Sequence, residues 1–338
     1  MLKFRALDFV IIDLTSIIKG ERTMLSFLSS AEVFVSSGLV FSLIAMGYYI
    51  SYHILDFPDL TVEGTFLSGA VTFGLCCYHG INPWVGLLAA FAVGCFFGFI
   101  TGILNVKLKI RPLLCGILVS TSLITVNLIA ISGGMVGDFT GQESSSISFG
   151  RQVKTLHDHF FGNAIPSKIE GIAVRDLIIF FVIVLVIKLL LDFYLKTKNG
   201  LLLRASGDNQ QFVKMLARDP GRSKIIGLSV GNGLAAVSGA LYTHISGSVS
   251  QSMGIGTIVI GLASLIIGLS LFKSVKFLKP TTKVIFGAII YQACLTVAQK
   301  LGVPSAYNKL IMALIFTLAL VLSGKFGKKG GNARVEVK

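Results

Sequence analysis

Charged residues are scarce in this sequence: Asp, Glu, Lys and Arg make up 14% of its 338 residues. A soluble domain carries roughly a quarter, so an ordinary water-soluble globule is excluded. Acids are scarcer still, 16 against 30 basic residues, for a net charge of +14. The five cysteines (Cys76, Cys77, Cys95, Cys115 and Cys294) are odd in number, lie in or beside apolar runs and show no C-x-x-C or Cys/His spacing. That excludes a disulfide framework and a zinc site and leaves small packing residues. Of the five histidines, only the His157-Asp158-His159 triplet has metal-binding composition, and it reads first as an exposed polar loop. The G-x-x-x-x-G-K-[ST] phosphate loop is missing, so the chain has no P-loop of its own for ATP. H-E-x-x-H is missing too, and no Ser, His and Asp stand in a workable catalytic order. The expectation is no enzyme, no catalytic residue, no metal and no cofactor.

What is present is apolar: 53% of the residues are hydrophobic. They gather in runs of about 17–20 residues, the length that crosses a bilayer as a helix. The short alternating segments of a membrane β-barrel are absent. The chain is therefore expected to be an all-α polytopic integral membrane protein of about nine transmembrane helices. The spans fall at 33–52, 61–78, 84–104, 113–132, 177–195, 225–242, 255–271, 284–298 and 307–323. Lys107, Lys109 and Arg111, the basic loop at 200–222, the lysines 273, 276, 279 and 283, and the tail lysines 325, 328 and 329 all fall on one side. Basic loops stay in the cytoplasm, so that side is predicted cytoplasmic and the N-terminus external. Lys3, Arg5, Lys19 and Arg22 oppose that placement and are outvoted. Because the cations sit in loops, they read as topology determinants and not as a nucleic-acid stripe.

Three regions flank or interrupt the predicted permeating core at 31–323. Residues 1–30 form an N-terminal amphipathic segment, with Phe4, Leu7, Val10, Ile11, Leu14 and Ile18 at helical spacing, suited to the membrane interface. A start at Met24 is the alternative reading, and the sequence leaves both open. The 133–175 loop is predicted external, and its length calls for a short helix or lid. Residues 324–338 read as a basic cytoplasmic tail.

The polar island at 200–221 organises the rest. Asp208 or Asn209 can N-cap a short helix that places Phe212, Val213, Leu216 and Ala217 on one face. Pro220-Gly221 is expected to stop that helix. A second polar interruption, Asp56-Phe57-Pro58-Asp59-Leu60-Thr61-Val62-Glu63-Gly64, lies between the first two spans. It fits either a simple cytoplasmic turn or a broken helix, because irregular backbone at membrane depth survives only inside protein or along a cavity. In the second case the new helix starting near Thr61 would aim its amides at the translocation path, where an anionic group could sit. Small residues recur every four positions at Gly94, Gly98 and Gly102, and at Gly227, Gly231, Ala235 and Gly239. Such faces allow close helix packing, within one subunit or along a two-fold dimer seam. Asn127, Asn232 and Gln292 stand in spans and need partners.

The pattern G-x-x-x-R-A-x-G-x-N, here Gly200, Arg204, Ala205, Gly207 and Asn209, resembles the coupling loop of ABC importer permeases of the branched-chain amino acid and ribose type. GLSVGNGLAAVSGALY (227–242), MGIGTIVIGLASLIIG (253–268) and ISYHILDFPDLTVEGTF (50–66) resemble the subgroup serving tryptophan/tyrosine-type binding proteins. DLTVEG is similar to the D-L-S-V-G element of the ribose-type permeases, and tips the reading of 56–64 toward one broken helix near the N-terminal spans. The resemblance covers about 38–323. It departs at Arg218, where relatives carry glycine. It implies a membrane permease subunit carrying a small solute, an amino acid and aromatic ones included, working as a homodimer in lipid. A cytoplasmic ATPase would bind the ATP, and an extracytoplasmic binding protein would deliver the solute. It also implies that 200–217 contacts the ATPase and that Asp56, Asp59, Thr61, Glu63 and Gly64 line the path. Two rivals remain from other classes. A stand-alone secondary transporter calls for acid pairs deep in several spans, and a membrane-embedded lipid-processing enzyme calls for facing catalytic groups.

Overall fold

The computed structural model describes residues 31–131, 146–148, 174–275, 277–300 and 307–328. The expectations for 1–30, for most of the 133–175 loop and for the end of the tail lie outside these residues. Helix α1 (Ala31–Ile54) ends in a wider π turn over Tyr49–Ile54. It is followed by α2 (Thr61–Tyr78), α3 (Pro83–Val106) and α4 (Pro112–Ile131). Then come strand β1 (Ser146–Ser148), α5 (Val174–Tyr194), α6 (Lys198–Asp208), α7 (Gln210–Met215) and α8 (Pro220–Ser246). Strand β2 (Ser248–Ser250), a 3₁₀ turn (Gln251–Gly254), α9 (Thr257–Leu271), α10 (Pro280–Lys300) and α11 (Asn308–Lys328) complete the described chain.

The polytopic all-α architecture expected from the apolar runs is what the chain forms. Each of the nine expected spans falls on a helix, but among the described residues seven helices, not nine, are long and apolar enough to cross a membrane. The remaining two are α2, whose 18 residues include Glu63 and several threonines and glycines, and α11, of which Leu310–Ala319 is the apolar part described. One small departure from all-helix is an antiparallel ladder that pairs Ser146 with Ser250 and Ser148 with Ser248. It pins part of the long loop to the end of α8.

Helix α8 is the hub, and small residues make it so. A Cβ on Gly94 or Gly98 of α3 would lie 2.5 Å from the carbonyl oxygen of Asn232 or Leu228, and one on Gly102 would lie 2.9 Å from the Cα of Ile225. The other faces of α8 carry its own stripe. Gly231 meets Gly47 of α1, Gly239 abuts the Phe66 carbonyl of α2, and Gly227 packs under Leu203 of α6. Both stripes are thus covered from within the chain. With no hydrophobic gradient between protein and lipid, such close van der Waals contact is what holds helices together. At the far end of α5, Asp192 accepts hydrogen bonds from Thr281 Oγ1 (2.6 Å) and Lys279 Nζ (3.1 Å), tying α5 to the start of α10.

Candidate functional site

Two interruptions of the helical framework meet at the start of α2. After α1 the chain turns at Asp56, whose φ of +49° is unusual for a residue other than glycine, and climbs back through Phe57 to Leu60 before α2 begins. Asn232 stands midway along α8, and it is what Asp59 reaches. Asn232 Nδ2 donates to Asp59 Oδ2 at 2.7 Å, while the Thr61 amide donates to Asp59 Oδ1 at 2.9 Å. Thr65 Oγ1 donates to Asn232 Oδ1 at 2.9 Å, and Tyr48 OH to the Asp59 carbonyl at 3.2 Å. Thr61 and Thr101 share a hydroxyl hydrogen bond of 3.0 Å. Asp59 is 1% exposed, and Thr61, Thr65 and Asn232 are fully buried. A buried carboxylate is tolerated only when its lone pairs are engaged, and here both oxygens are.

The second interruption comes from the other side of α8. After β2 the chain re-enters the bundle, makes one 3₁₀ turn and starts α9 at Thr257. Gly256, at φ +95°, makes the corner, and its amide donates to Glu63 Oε1 at 2.7 Å. Gly254 sits so close that a Cβ there would lie 2.9 Å from the Glu63 carbonyl oxygen. Nearby, Gln251 Nε2 donates to the Ile124 carbonyl and Asn127 Nδ2 to the Gly64 carbonyl. Two helices therefore begin beside one another within the bundle, α2 and α9.

This arrangement corrects one expectation. A helix start near Thr61 is present, but its first amide is not open to an anion. The Thr61 amide is taken by Asp59 and the Gly256 amide by Glu63, so the chain's own carboxylates occupy both positive helix ends. Of the five expected path residues, Asp59, Thr61 and Gly64 are buried in packing and hydrogen bonds, Gly64 against Leu123. Asp56 is exposed and Glu63 partly so. Tyr48, Thr65, Gly254 and Gly256 went unread in the sequence. Only the G-I-G corner before Thr257 carried a local signal, that of glycines at a sharp turn.

The 198–219 segment builds a separate surface. Thr197 caps α6 by accepting from the Gly200 amide at 3.3 Å. Gly200 abuts the Tyr194 carbonyl and Gly207 the Ile54 carbonyl. These close approaches seat α6 on the ends of α5 and α1 and explain both motif glycines. Leu203 is fully buried and Ser206 is 3% exposed, whereas Arg204 is exposed and forms no hydrogen bond or ion pair among the described residues. Ala205 is partly buried. Asp208 ends α6, and it is Asn209 that caps α7, accepting from the Gln211 and Phe212 amides at 3.0 Å each.

The single apolar face expected for α7 is split. Val213 is fully buried against its own chain, while Phe212 and Leu216 are 52% and 55% exposed. Met215, unremarked in the sequence, is 79% exposed. The helix ends after six residues, so Ala217 lies beyond it at φ +55°. Nor does Pro220 stop α7. It opens α8 behind an Asp219 cap, because a proline lacks the amide that the first helical turn leaves unpaired anyway. Exposed Phe, Met and Leu among Arg204, Lys214 and Arg218 are out of place in solvent, and such patches mark protein contacts.

Gly227-Leu228-Ser229-Val230-Gly231 has the G-x-S-x-G spacing of a hydrolase nucleophile elbow, another pattern the sequence reading missed. It lies inside α8, with Ser229 Oγ donating back to the Ile225 carbonyl at 2.9 Å. The strand-to-helix turn that the elbow requires is not there, so the serine is a helix residue.

Residues 30–322 match the family described as "Branched-chain amino acid transport system / permease component". The chain belongs to this permease family. It is a multi-pass inner-membrane protein, an ABC importer permease, and membership implies an ATPase and a substrate-binding protein as partners. The permease is 37% identical over 306 residues to a "Tyrosine transport system permease protein" of Clostridioides difficile, across 90% of this chain and 95% of that one. It is 28% identical over 228 residues to a "Probable branched-chain amino acid transport permease protein LivH" of Methanocaldococcus jannaschii, across 67% and 70% of the two chains. Among solved structures, PsaBC from Streptococcus pneumoniae in complex with Fab aligns over 91% of this chain and 95% of its own, at 16% identity and a TM-score of 0.48.

Proposed function

We propose that the permease forms the translocation pathway for an amino acid, tyrosine or a related aromatic one, as one half of a homodimeric pore. The observation that carries this reading is its 37% identity, over nearly the whole of both chains, to the tyrosine transport permease. In this reading 198–219 is the cytoplasmic contact with the ATPase, which binds the ATP. The exposed Phe212, Met215 and Leu216 enter a groove on that partner as a helix-in-groove contact. The junction of α2 and α9 lies beside the solute path, with Glu63 as the accessible carboxylate, and the 133–175 loop faces the binding protein outside. Short basic loops on one side support that orientation.

The test is uptake in proteoliposomes that contain the permease, its ATPase and its binding protein. Labelled tyrosine should accumulate only with ATP, and unlabelled phenylalanine or tryptophan should compete better than leucine or ribose. Uptake that ran on an ion gradient without the ATPase would replace this reading with that of a secondary transporter.

A further inference from the structure

A cleft of about 360 Å³ opens between the α3–α4 turn, the α6–α7 segment and the first turn of α8. Three lysines from three separate elements line it: Lys109 from the turn, Lys214 from α7 and Lys224 from α8. Among the described residues none of them is paired with a carboxylate. The one acid in the wall, Asp219, is already engaged by the Gly221 amide at 2.8 Å and by Arg222. Lys224 is partly buried and lies 5.6 Å above the ring of Phe57. The turn that carries Lys109 to the cleft also departs from the usual backbone range. Lys109 stands at φ +56°, and Asn105 Nδ2 secures the turn by donating to the Ile110 carbonyl at 2.8 Å.

Asp56 is near enough to Lys224 for its charge to act on it, but among the described residues no carboxylate pairs directly with any of the three; like charges so placed repel one another, and a concave wall strengthens the field they make. Lys109 and Lys214 are exposed, whereas Lys224 is drawn part-way into the protein. We infer that this cleft is a binding site for a phosphate group, held by Lys109, Lys214 and Lys224. A phosphate monoester carries a charge of about −1.5 to −2 and presents three acceptor oxygens, which suits three ammonium groups with Asn105 and Gln210 beside them. A single carboxylate from a protein partner would neutralise only one of the three. The inner wall is apolar, formed by Leu55 and Val106 at the ends of α1 and α3. Basic pockets between membrane helices on the cytoplasmic side are a known setting for phospholipid headgroups. The phosphate is supplied by such a headgroup or by a soluble phosphate compound. Once bound, it ties α7 to the ends of α3 and α8 and fixes the segment proposed to meet the ATPase.

The experiment uses the full chain, purified and stripped of native lipid by detergent exchange. The probes are phosphatidylglycerol and phosphatidylcholine, read by native mass spectrometry, and inorganic pyrophosphate, read by the thermal unfolding midpoint. Wild type should retain phosphatidylglycerol but not phosphatidylcholine if the source is a lipid, and should be protected by pyrophosphate if it is soluble. In either arm K109Q, K214Q and K224Q should each weaken binding about fivefold. The control K273Q/K283Q, on other basic positions, should leave it unchanged. The inference is overturned if wild type takes up neither probe, if the triple variant binds as wild type does, or if the control lowers binding equally. It is also overturned if the lysine variants lose only the ATPase, which would make the cleft a seat for acidic protein side chains.

Discussion

Replacing Asn232 by alanine should destabilise the permease more than its size suggests, and the structure says by how much. The side chain donates to the buried Asp59 carboxylate at 2.7 Å and accepts from Thr65 at 2.9 Å. Losing a hydrogen bond to a charged group costs about 1.5–3 kcal/mol, and losing a neutral one about 1. Because Asp59 and Thr65 are shut away from water, Asn232→Ala should cost about 3–4 kcal/mol in all. Asp59→Asn is the revealing partner. It keeps an acceptor for the Thr61 amide, but Asn232 can present an oxygen to the new amide only by flipping away its hydrogen bond to the Leu228 carbonyl (3.0 Å), so the cost should be about 2 kcal/mol. With the charge gone, removing Asn232 strands no carboxylate. The double variant should then be about 2 kcal/mol more stable than the sum of the single losses implies. Unfolding by detergent titration, followed through helical circular dichroism, measures all three. Additivity within about 0.5 kcal/mol, or an Asn232→Ala loss below about 1, would refute the idea that this network carries a buried charge.

Glu63→Gln keeps an oxygen for the Gly256 amide but removes the charge, whereas Glu63→Ala removes both; a role for the charge in transport predicts that both lower uptake with the ATPase still bound. Equal activity of Glu63→Gln and wild type would leave Glu63 a purely structural cap. Phe212→Ala and Met215→Ala should weaken ATPase co-purification. An interface anchor is worth about 2 kcal/mol, roughly thirtyfold in affinity, while Val213→Ala should act on folding first because Val213 is buried in its own chain. A normal, stoichiometric complex and normal uptake by the Phe212/Met215 double variant would reduce the segment to a linker. On a background lacking the five cysteines, a membrane-impermeant thiol reagent applied to intact cells should label a cysteine placed at 145 and not one at 210. The reverse result would invert the topology.

Helix existence was legible because it depends on summed hydrophobicity, which every residue of a span reports. The caps were nearly as legible, since Asn209 and Pro220 act on their immediate neighbours, although the same Pro-Gly pair fits the end of one helix and the start of the next. What stayed hidden was long-range. Asp59 and Asn232 are 173 positions apart and Glu63 and Gly256 193, and no local pattern says that a polar residue in one span has its partner in another. The apolar face of α7 was misdrawn for a related reason. Spacing tells which residues share a side of a helix, but a six-residue helix barely has sides, and packing within the chain buried Val213 alone among its apolar residues. The motif glycines show how the two levels meet. Gly207 was recognisable as part of a pattern, yet its cause, a backbone crossing against the Ile54 carbonyl, is a property of the fold. That crossing seats α6 on the last turn of α1, just ahead of the Asp56 turn that leads to Asp59. The exposed surface of α7 and the buried network on α8 are therefore joined through packed backbone at α1. A side chain larger than hydrogen at Gly207 would separate them.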